Sequence, residues 1–304
     1  MKKIFLLLAF VACCCVTMAQ MPNEKFGKPS DQEWMYVGWR EALGADAIVL
    51  NKTMTVTYEL SDGFGSMVNG GDGDLSSDNM QVLGKTGVNL EGIMVNFDVK
   101  LRTKILTAEG AKYANIDIVY HDEVEIRDDN VDDLLDLKVR VFTKNEKGKV
   151  VKKNVNTSGF VSERVDEIYK VMHVVVPDVE PGSIIEYTYR VRSPRATYLY
   201  DWTYREDIPV AYSKCDMNVP FQLQFKMNAP INKLIKSKVE EGRLTYGQNR
   251  NDMMPAKTIR TNHYTIEGFG IMPTDNIAPF TSQITGFDTL PEPIPAGYTH
   301  LKIQ

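Results

Sequence analysis

The residues with the clearest capacity for chemistry are cysteine and histidine, and Cys215 is the one cysteine outside the first 20 residues. A cysteine nucleophile needs a lowered thiol pKa and a histidine within hydrogen-bond reach. Cys215 instead lies in an alternating stretch typical of a β-strand, where Asp216 would raise its pKa and Lys214 would lower it. We therefore interpret Cys215 as a half-buried structural residue and predict no catalytic residue in this chain.

The histidines and the acidic residues lack the spacing of a metal site. The histidines are His121, His173, His263 and His300. None stands at ligand spacing from another histidine or from a cysteine pair, and His173 lies in an apolar stretch typical of a strand. The aspartates at 72, 74 and 78 lack the central glycine and terminal glutamate of a calcium loop, and the acidic run 122–136 is typical of a solvated face. We expect no metal ion and no cofactor.

A row of aromatic residues is the best candidate for a binding surface. Every second residue is aromatic in Tyr198, Tyr200, Trp202 and Tyr204. Period-two spacing would place these rings on one face of a strand, where exposed aromatics could bind a carbohydrate or a peptide. The alternative, which we favour, is that the rings pack between two sheets of a β-sandwich.

Alternation of apolar and polar residues dominates the rest of the chain. In residues 93–101 the odd positions are apolar and most even positions are polar, and 114–120, 184–191 and 221–227 repeat this pattern. Turn sequences rich in glycine, proline and asparagine separate these stretches. Helical periodicity is confined to 32–43 and 129–137. The pattern predicts an all-β fold, a sandwich of antiparallel sheets with few short helices.

The N-terminus has the three-part pattern of a secretory signal peptide. Two lysines at 2 and 3 precede the apolar stretch 4–12, and Ala19 precedes the expected first mature residue, Gln20. Lipidation at Cys13 is the less favoured alternative, and it would give the protein its membrane contact. We expect export to the periplasm or the cell surface. The net charge of −5 argues against a nucleic-acid partner.

These patterns divide the chain into four parts. They are a signal peptide (1–19), an N-terminal lead segment (20–46), a β-sandwich domain (47–270) with a long Gly/Asp-rich loop (61–79), and a proline-rich C-terminal tail (271–304). The tail shows little alternation, so we expect it to be extended or poorly ordered.

Several motifs of the chain resemble, in order, those of the family called domain of unknown function 3857 (DUF3857). They are AIVL at 47–50, KILTAEG at 104–110, IR at 126–127, KVRVF at 138–142 with Gly148, VPDVEPGSIIEYTY at 176–189, Trp202, IPV at 208–210 and VP at 219–220. The resemblance implies an immunoglobulin-like β-sandwich without known activity. In this family, catalysis is expected in a following transglutaminase-like domain with a Cys-His-Asp set, and Cys215 precedes the closing motif of the resemblance.

Two functions therefore compete. The first is an exported, non-catalytic module that binds or scaffolds a peptide, a glycan or an envelope protein. The alternative is an N-terminal accessory part, or a remnant, of a transglutaminase-like or cysteine-protease-like enzyme whose catalytic domain is absent from this chain. We expect this chain itself not to be an enzyme.

Overall fold

The computed structural model describes residues 25–36, 44–60, 93–122, 131–246 and 257–287. The predicted signal peptide with Cys13, the loop 61–79 and His300 lie outside these residues. The described strands are β1 (Ala47–Leu60), β2 (Ile93–Ile105), β3 (Ile116–His121), β4 (Asp133–Lys144), β5 (Val150–Val155), β6 (Val161–Arg164), β7 (Tyr169–Val174), β8 (Ile184–Ser193), β9 (Val210–Pro220), β10 (Leu223–Asn228), β11 (Ile235–Tyr246), β12 (Lys257–Ile271) and β13 (Thr281–Phe287). The predicted all-β class is confirmed.

The described strands form one wide sheet and two narrow ones. The wide sheet has eight strands in the order β11-β12-β9-β1-β2-β8-β4-β5, and the others are β3-β7-β6 and β10-β13. All pairings are antiparallel except that of β1 with β9. A parallel pair needs a long connection, and here the chain builds seven further described strands between β1 and β9.

The inner face of the wide sheet packs against the three-stranded sheet. Along β2, Val95, Phe97 and Val99 are buried on one face, as their period of two requires. Ile118 of β3 and Val174 of β7 join them in one apolar cluster. Burial of these side chains, at about 25 cal/mol per Å² of apolar surface, is the main force that holds the two layers together.

The outer face of the wide sheet is covered at one end by the segment 25–36. This segment contains the short helix α1 (Asp31–Met35), where Ser30 and Glu33 form a capping box. Trp34 packs there in a small apolar cluster with Ile48, Leu50, Phe142 and Ile184. Helix α1 lies at the start of the predicted helical stretch 32–43, of which 37–43 is outside the described residues.

A buried ion network ties this N-terminal segment to the sheet. Arg102 on β2 and Glu186 on β8 are cross-strand partners, and both side chains are fully buried. Their Nε–Oε1 distance is 3.0 Å, and the Arg102 guanidinium also contacts the Glu33 carboxylate of α1. The backbone N–H of Gly27 donates to Glu186 Oε2 at 2.7 Å. The segment 25–36 keeps water away from the charges on this sheet face, and the network provides them with partners in its place.

Lys104 fixes the other end of the same segment. Its Nζ donates to the backbone oxygens of Trp34 and Tyr36, at 2.7 and 2.8 Å. These carbonyls lie at the C-terminal end of α1, where helix geometry leaves them without intrahelical donors. Burial, together with the charge of Lys144, lowers the pKa of Lys104.

One local prediction was wrong. The stretch 129–137, predicted as a helix, contributes to strand β4 where it is described, because tertiary pairing with β8 outweighs its local pattern. The pairing shifts between Leu135 and Lys138, and Asp136 has a φ of 55° there.

The described part of the predicted tail contains an extended strand, β13, which pairs with β10.

The outer surface of the three-stranded sheet has a histidine between two carboxylates. His173 on β7 contacts Asp117 of β3 through Nδ1 at 2.8 Å and Glu163 of β6 through Nε2 at 3.1 Å. These hydrogen bonds, that to Asp117 first, raise the pKa of His173. The imidazole therefore links the three strands of this sheet.

We predict that replacing Glu186 by glutamine lowers the free energy of unfolding by about 3 kcal/mol, because a buried Arg102 then loses part of its counter-charge. Urea unfolding measures this change. The matched control is Glu59→Gln, which breaks an exposed pair with Arg192 (3.0 Å) in the same sheet. The control should change stability by at most about 0.5 kcal/mol, and equal effects of the two variants would contradict the assignment.

We predict that His173 titrates above its ordinary pKa of 6.5. Since the folded-state pKa is raised, the stabilisation of the sheet is complete below the unfolded-state value and is lost as pH rises through the folded-state value. An NMR titration of the imidazole protons gives the midpoint. Asp117→Asn should lower it, and a midpoint at or below 6.5 in the unsubstituted protein would refute this prediction.

Candidate functional site

The predicted aromatic row is not one face of a strand. Residues 194–209 form the irregular connection between β8 and β9, with one isolated bridge in which Trp202 and Phe280 exchange backbone hydrogen bonds of 2.8 and 3.0 Å. Trp202 and Tyr204 are 5% and 1% exposed. The Trp202 indole N–H donates to Ser213 Oγ at 3.0 Å. These two rings pack in the core, as in the alternative that we favoured, because the connection folds over the inner face of the sheet.

Tyr198 and Tyr200 belong to a buried charged cluster that the sequence did not reveal. The Tyr200 hydroxyl donates to Asp132 Oδ2, and the Arg195 guanidinium lies 3.1 Å from the same oxygen. The guanidinium also lies 4.7 Å from the Tyr198 ring. Burial first, and then the charge of Asp132, raises the pKa of Tyr200, so this phenol stays neutral. Asp132 lies 63 residues before Arg195, and no motif connects the two.

Cys215 has the properties of a core residue. Its side chain is fully buried in β9, and burial raises the pKa of its thiol, with a further contribution from Asp216. The imidazole of His263 contacts Asp216 at 2.5 Å. A protonated, solvent-inaccessible thiol is a poor nucleophile. Within the described ranges, His, Cys, Asp and Glu side chains form no group that could hold a metal ion, and no helix is long and apolar enough to cross a bilayer.

The three-stranded sheet is narrower than the sheet it covers, and a cleft lies at each of its flanks. The first cleft, beside β3, has a volume of about 410 Å³. Lys52, Tyr113, Tyr189, Asp201 and Trp202 are among its lining residues. Lys52 Nζ lies 4.4 Å from the Trp202 ring centre, donates to Thr203 O at 3.0 Å and contacts Glu206. The Lys52 ammonium group and the Trp202 ring of this cleft are therefore already bound to each other.

The second cleft, which we call the valine cleft, lies where β7 ends and β6 begins, against the hairpin of β4 and β5. Its volume is about 690 Å³, and it is lined by Val141, Val151, Val155, Phe160 and Val175, among others. Val151 and Val175 are 45% and 56% exposed. Clefts of this size are typical of binding sites, and clustered exposed apolar residues are typical of protein-interaction surfaces.

The polar rim of the valine cleft carries both signs of charge. Lys153 Nζ lies 3.3 Å from Asp178 Oδ2 across the opening, and Glu180 lines the same side. Both members of the Lys153–Asp178 pair are well exposed, so solvent screens their attraction. The pair can therefore separate at little cost when a ligand enters. Apolar floor and polar rim together suit a polypeptide more than a small charged molecule.

Sequence reasoning did not find the valine cleft. Val151, Phe160 and Val175 come from three separate segments, and each segment alone is an ordinary alternating strand or turn. The adjacent apolar pair Val150-Val151, in an otherwise polar hairpin, was the one local sign of an unusual edge.

Known proteins were compared with this chain. No curated protein matches it. A solved structure of a candidate protease from Parabacteroides distasonis is similar, with 13% identity and a TM-score of 0.47. The alignment covers 79% of this chain and 40% of that one, so this chain spans less than half of that protein's length.

The family model of DUF3857, a domain of unknown function with a solved structure, matches residues 94–257. The resemblance expected from the sequence spanned 47–220, so the match begins later and continues past the expected closing motif. It includes the long motif at 176–189 and both β-strands of the hairpin beside the valine cleft. Because the match covers more than half of the chain, the chain belongs to the DUF3857 family.

Proposed function

We propose that this DUF3857 chain is an exported, non-catalytic binding module and that its valine cleft receives a segment of another polypeptide. The observation that carries the proposal is the exposure of Val151 and Val175 in a cleft of about 690 Å³. Leaving two such side chains in water forfeits about 25 cal/mol for each Å² of apolar surface that a partner would cover. Covering them is therefore a source of binding energy.

Two further features support this proposal. The N-terminal pattern that ends at Ala19 is typical of a secretory signal peptide, which supports export. The chemistry of Cys215 supports a non-catalytic role, because the thiol is buried and its pKa is raised.

Membership in the DUF3857 family favours a second candidate function. The chain would then be the N-terminal accessory part of a transglutaminase-like enzyme and would dock a separately encoded catalytic domain. The valine cleft serves both candidates, and the identity of the bound partner distinguishes them.

We predict that export removes the first 19 residues. The full chain is produced with a C-terminal tag in a bacterium with an envelope, and the envelope fraction is analysed by intact-mass measurement. The expected species begins at Gln20, because the apolar stretch 4–12 is too short to remain as a membrane span. A species that begins at a lipidated Cys13 would support the alternative, and an uncleaved cytoplasmic chain would refute export.

We predict that the purified protein retains a partner from solubilised envelope extract through the valine cleft. Val151→Thr combined with Val175→Thr keeps the β-branched shape but removes apolar surface, so retention should fall several-fold while stability changes by at most about 0.5 kcal/mol. The control is Val119→Thr on β3, which is 49% exposed and does not line the cleft. Equal retention by both variants would place the binding site elsewhere, and no retained partner at micromolar protein would refute the proposed function. A retained transglutaminase-like domain would identify the second candidate.

A further inference from the structure

The strand β5 has an open edge beside the valine cleft. Among the described strands it pairs with β4 alone, at the end of the eight-stranded sheet. The hairpin closes with the Asn145 N–H donating to Lys149 O at 3.0 Å. Because hydrogen-bonded and non-bonded pairs alternate in antiparallel strands, Val151 and Lys153 bond toward β4. The backbone groups of Val150, Lys152 and Asn154 therefore point away from β4, toward a position that no described strand occupies.

The side chains of β5 divide between two faces. Val151, Lys153 and Val155 line the valine cleft, and Lys152 lies on the opposite face by alternation. A strand placed beside β5 would direct every second side chain into the cleft, toward Phe160 and Val175. Those positions of the added strand must be apolar, since the cleft floor is formed by valine and phenylalanine.

The charge of the β5 edge determines which kind of strand can pair with it. Residues 144–155, which end β4 and form the hairpin loop and β5, carry lysine at 144, 147, 149, 152 and 153 and one acidic residue, Glu146, in a chain whose net charge is −5. Pairing of β5 with the β5 of a second copy would place two lysine-rich strands side by side, and like charges in such positions are destabilising. An acidic strand would instead gain an attraction, because opposite charges across neighbouring strands stabilise their pairing.

Lysine on an exposed edge strand is also a device against self-association. That role and the docking of an acidic strand are compatible, because an apolar strand would desolvate the lysines and a basic strand would be repelled by them, whereas an acidic strand is attracted. The exposed Val151 and Val175 distinguish this edge from a purely protective one.

We propose that β5 binds an extended, acidic segment of a partner protein as an added strand, with alternate apolar residues in the valine cleft and alternate carboxylates near the lysines of the hairpin. This inference rests on the proposed function and adds the chemistry of the partner. Recognition uses three separate elements: outward backbone groups, an apolar cleft and the lysines of the hairpin loop and β5. The first provides affinity without sequence preference, and the other two select the alternating acidic pattern.

The test is a fluorescence-anisotropy titration of the purified mature protein against a labelled peptide, acetyl-Glu-Val-Glu-Val-Glu-Val-Glu-amide. Saturable binding that weakens as salt is raised is expected, because screening reduces the attraction between the carboxylates and the lysines. The counterpart with lysine in place of glutamate should bind at least about tenfold more weakly. Equal affinity for the two peptides, or no binding of the acidic peptide, would overturn the proposal.

A pair of variants at one position tests strand addition itself. Lys152→Pro removes the outward backbone N–H, and proline is tolerated on an edge strand. Lys152→Ala removes the same charge but keeps the N–H. The proline variant should bind the acidic peptide about tenfold more weakly than the alanine variant, since a hydrogen bond is lost from the interface. Circular dichroism and urea unfolding of both variants show whether each is folded.

Equal affinities of two folded variants would refute strand addition. Should the proline variant not fold, Asn154→Pro with Asn154→Ala repeats the comparison at the next outward position. If the envelope partner is retained by the protein but is not displaced by the acidic peptide, the inference on β5 fails while the proposed binding function stands. If no envelope partner is retained and the peptide still binds, the proposed function is refuted while the inference on β5 stands.

Discussion

The fold depends on keeping Arg102 and Glu186 buried together. Two charges on the outer face of the wide sheet are removed from water by the segment 25–36, and the desolvation cost of such a pair is several kcal/mol per ion. Their mutual contacts, with Glu33 and the backbone N–H of Gly27, offset this cost only in the assembled geometry. The pair thus stabilises one arrangement of the N-terminal segment over others, because any displacement leaves a buried charge uncompensated. The apolar cluster around Trp34 adds area to the same contact.

On the inner face of the wide sheet, the difference in width between the two packed sheets is the main constraint. A three-stranded sheet is narrower than eight strands, so other segments must cover part of the inner face. The connection between β8 and β9 places Trp202 and the contacts of Lys52 in the cleft beside β3. The valine cleft lies where β7 ends and β6 begins, against the hairpin of β4 and β5. The placement of the aromatic residues therefore helps to decide where apolar surface stays exposed.

Polar groups inside the sandwich join segments that are distant in sequence. Asp132, Arg195 and Tyr200 join the connection after β8 to the start of β4, and the edge-to-face contact of Phe97 with Tyr200 at 4.9 Å links this cluster to β2. Arg195 and Tyr200 both bind Asp132 Oδ2, so the buried carboxylate has a counter-charge and a hydroxyl donor. Cys215 lies apart from this cluster in β9, with an inert thiol. The buried charged residues and Cys215 thus contribute to the packing of the sandwich. Apolar surface is exposed in the valine cleft beside β5.

Much of this architecture follows from the sequence alone, because alternation is a local property of consecutive residues. Most of the long strands and the all-β class followed from alternation, and the family followed from the ordered motifs that resemble it. Cys215 was predicted as half-buried, and the structure buries it fully. The pattern did not predict that 131–137 joins a strand, that Tyr200 pairs with Asp132, or that Arg102 is fully buried. Those outcomes depend on residues that are distant in sequence. Arg102 and Glu186 are 84 residues apart, and Tyr200 and Asp132 are 68 residues apart. Only the tertiary structure brings such residues together, and it alone shows which part of the sheet stays uncovered, since that depends on the relative widths of two layers.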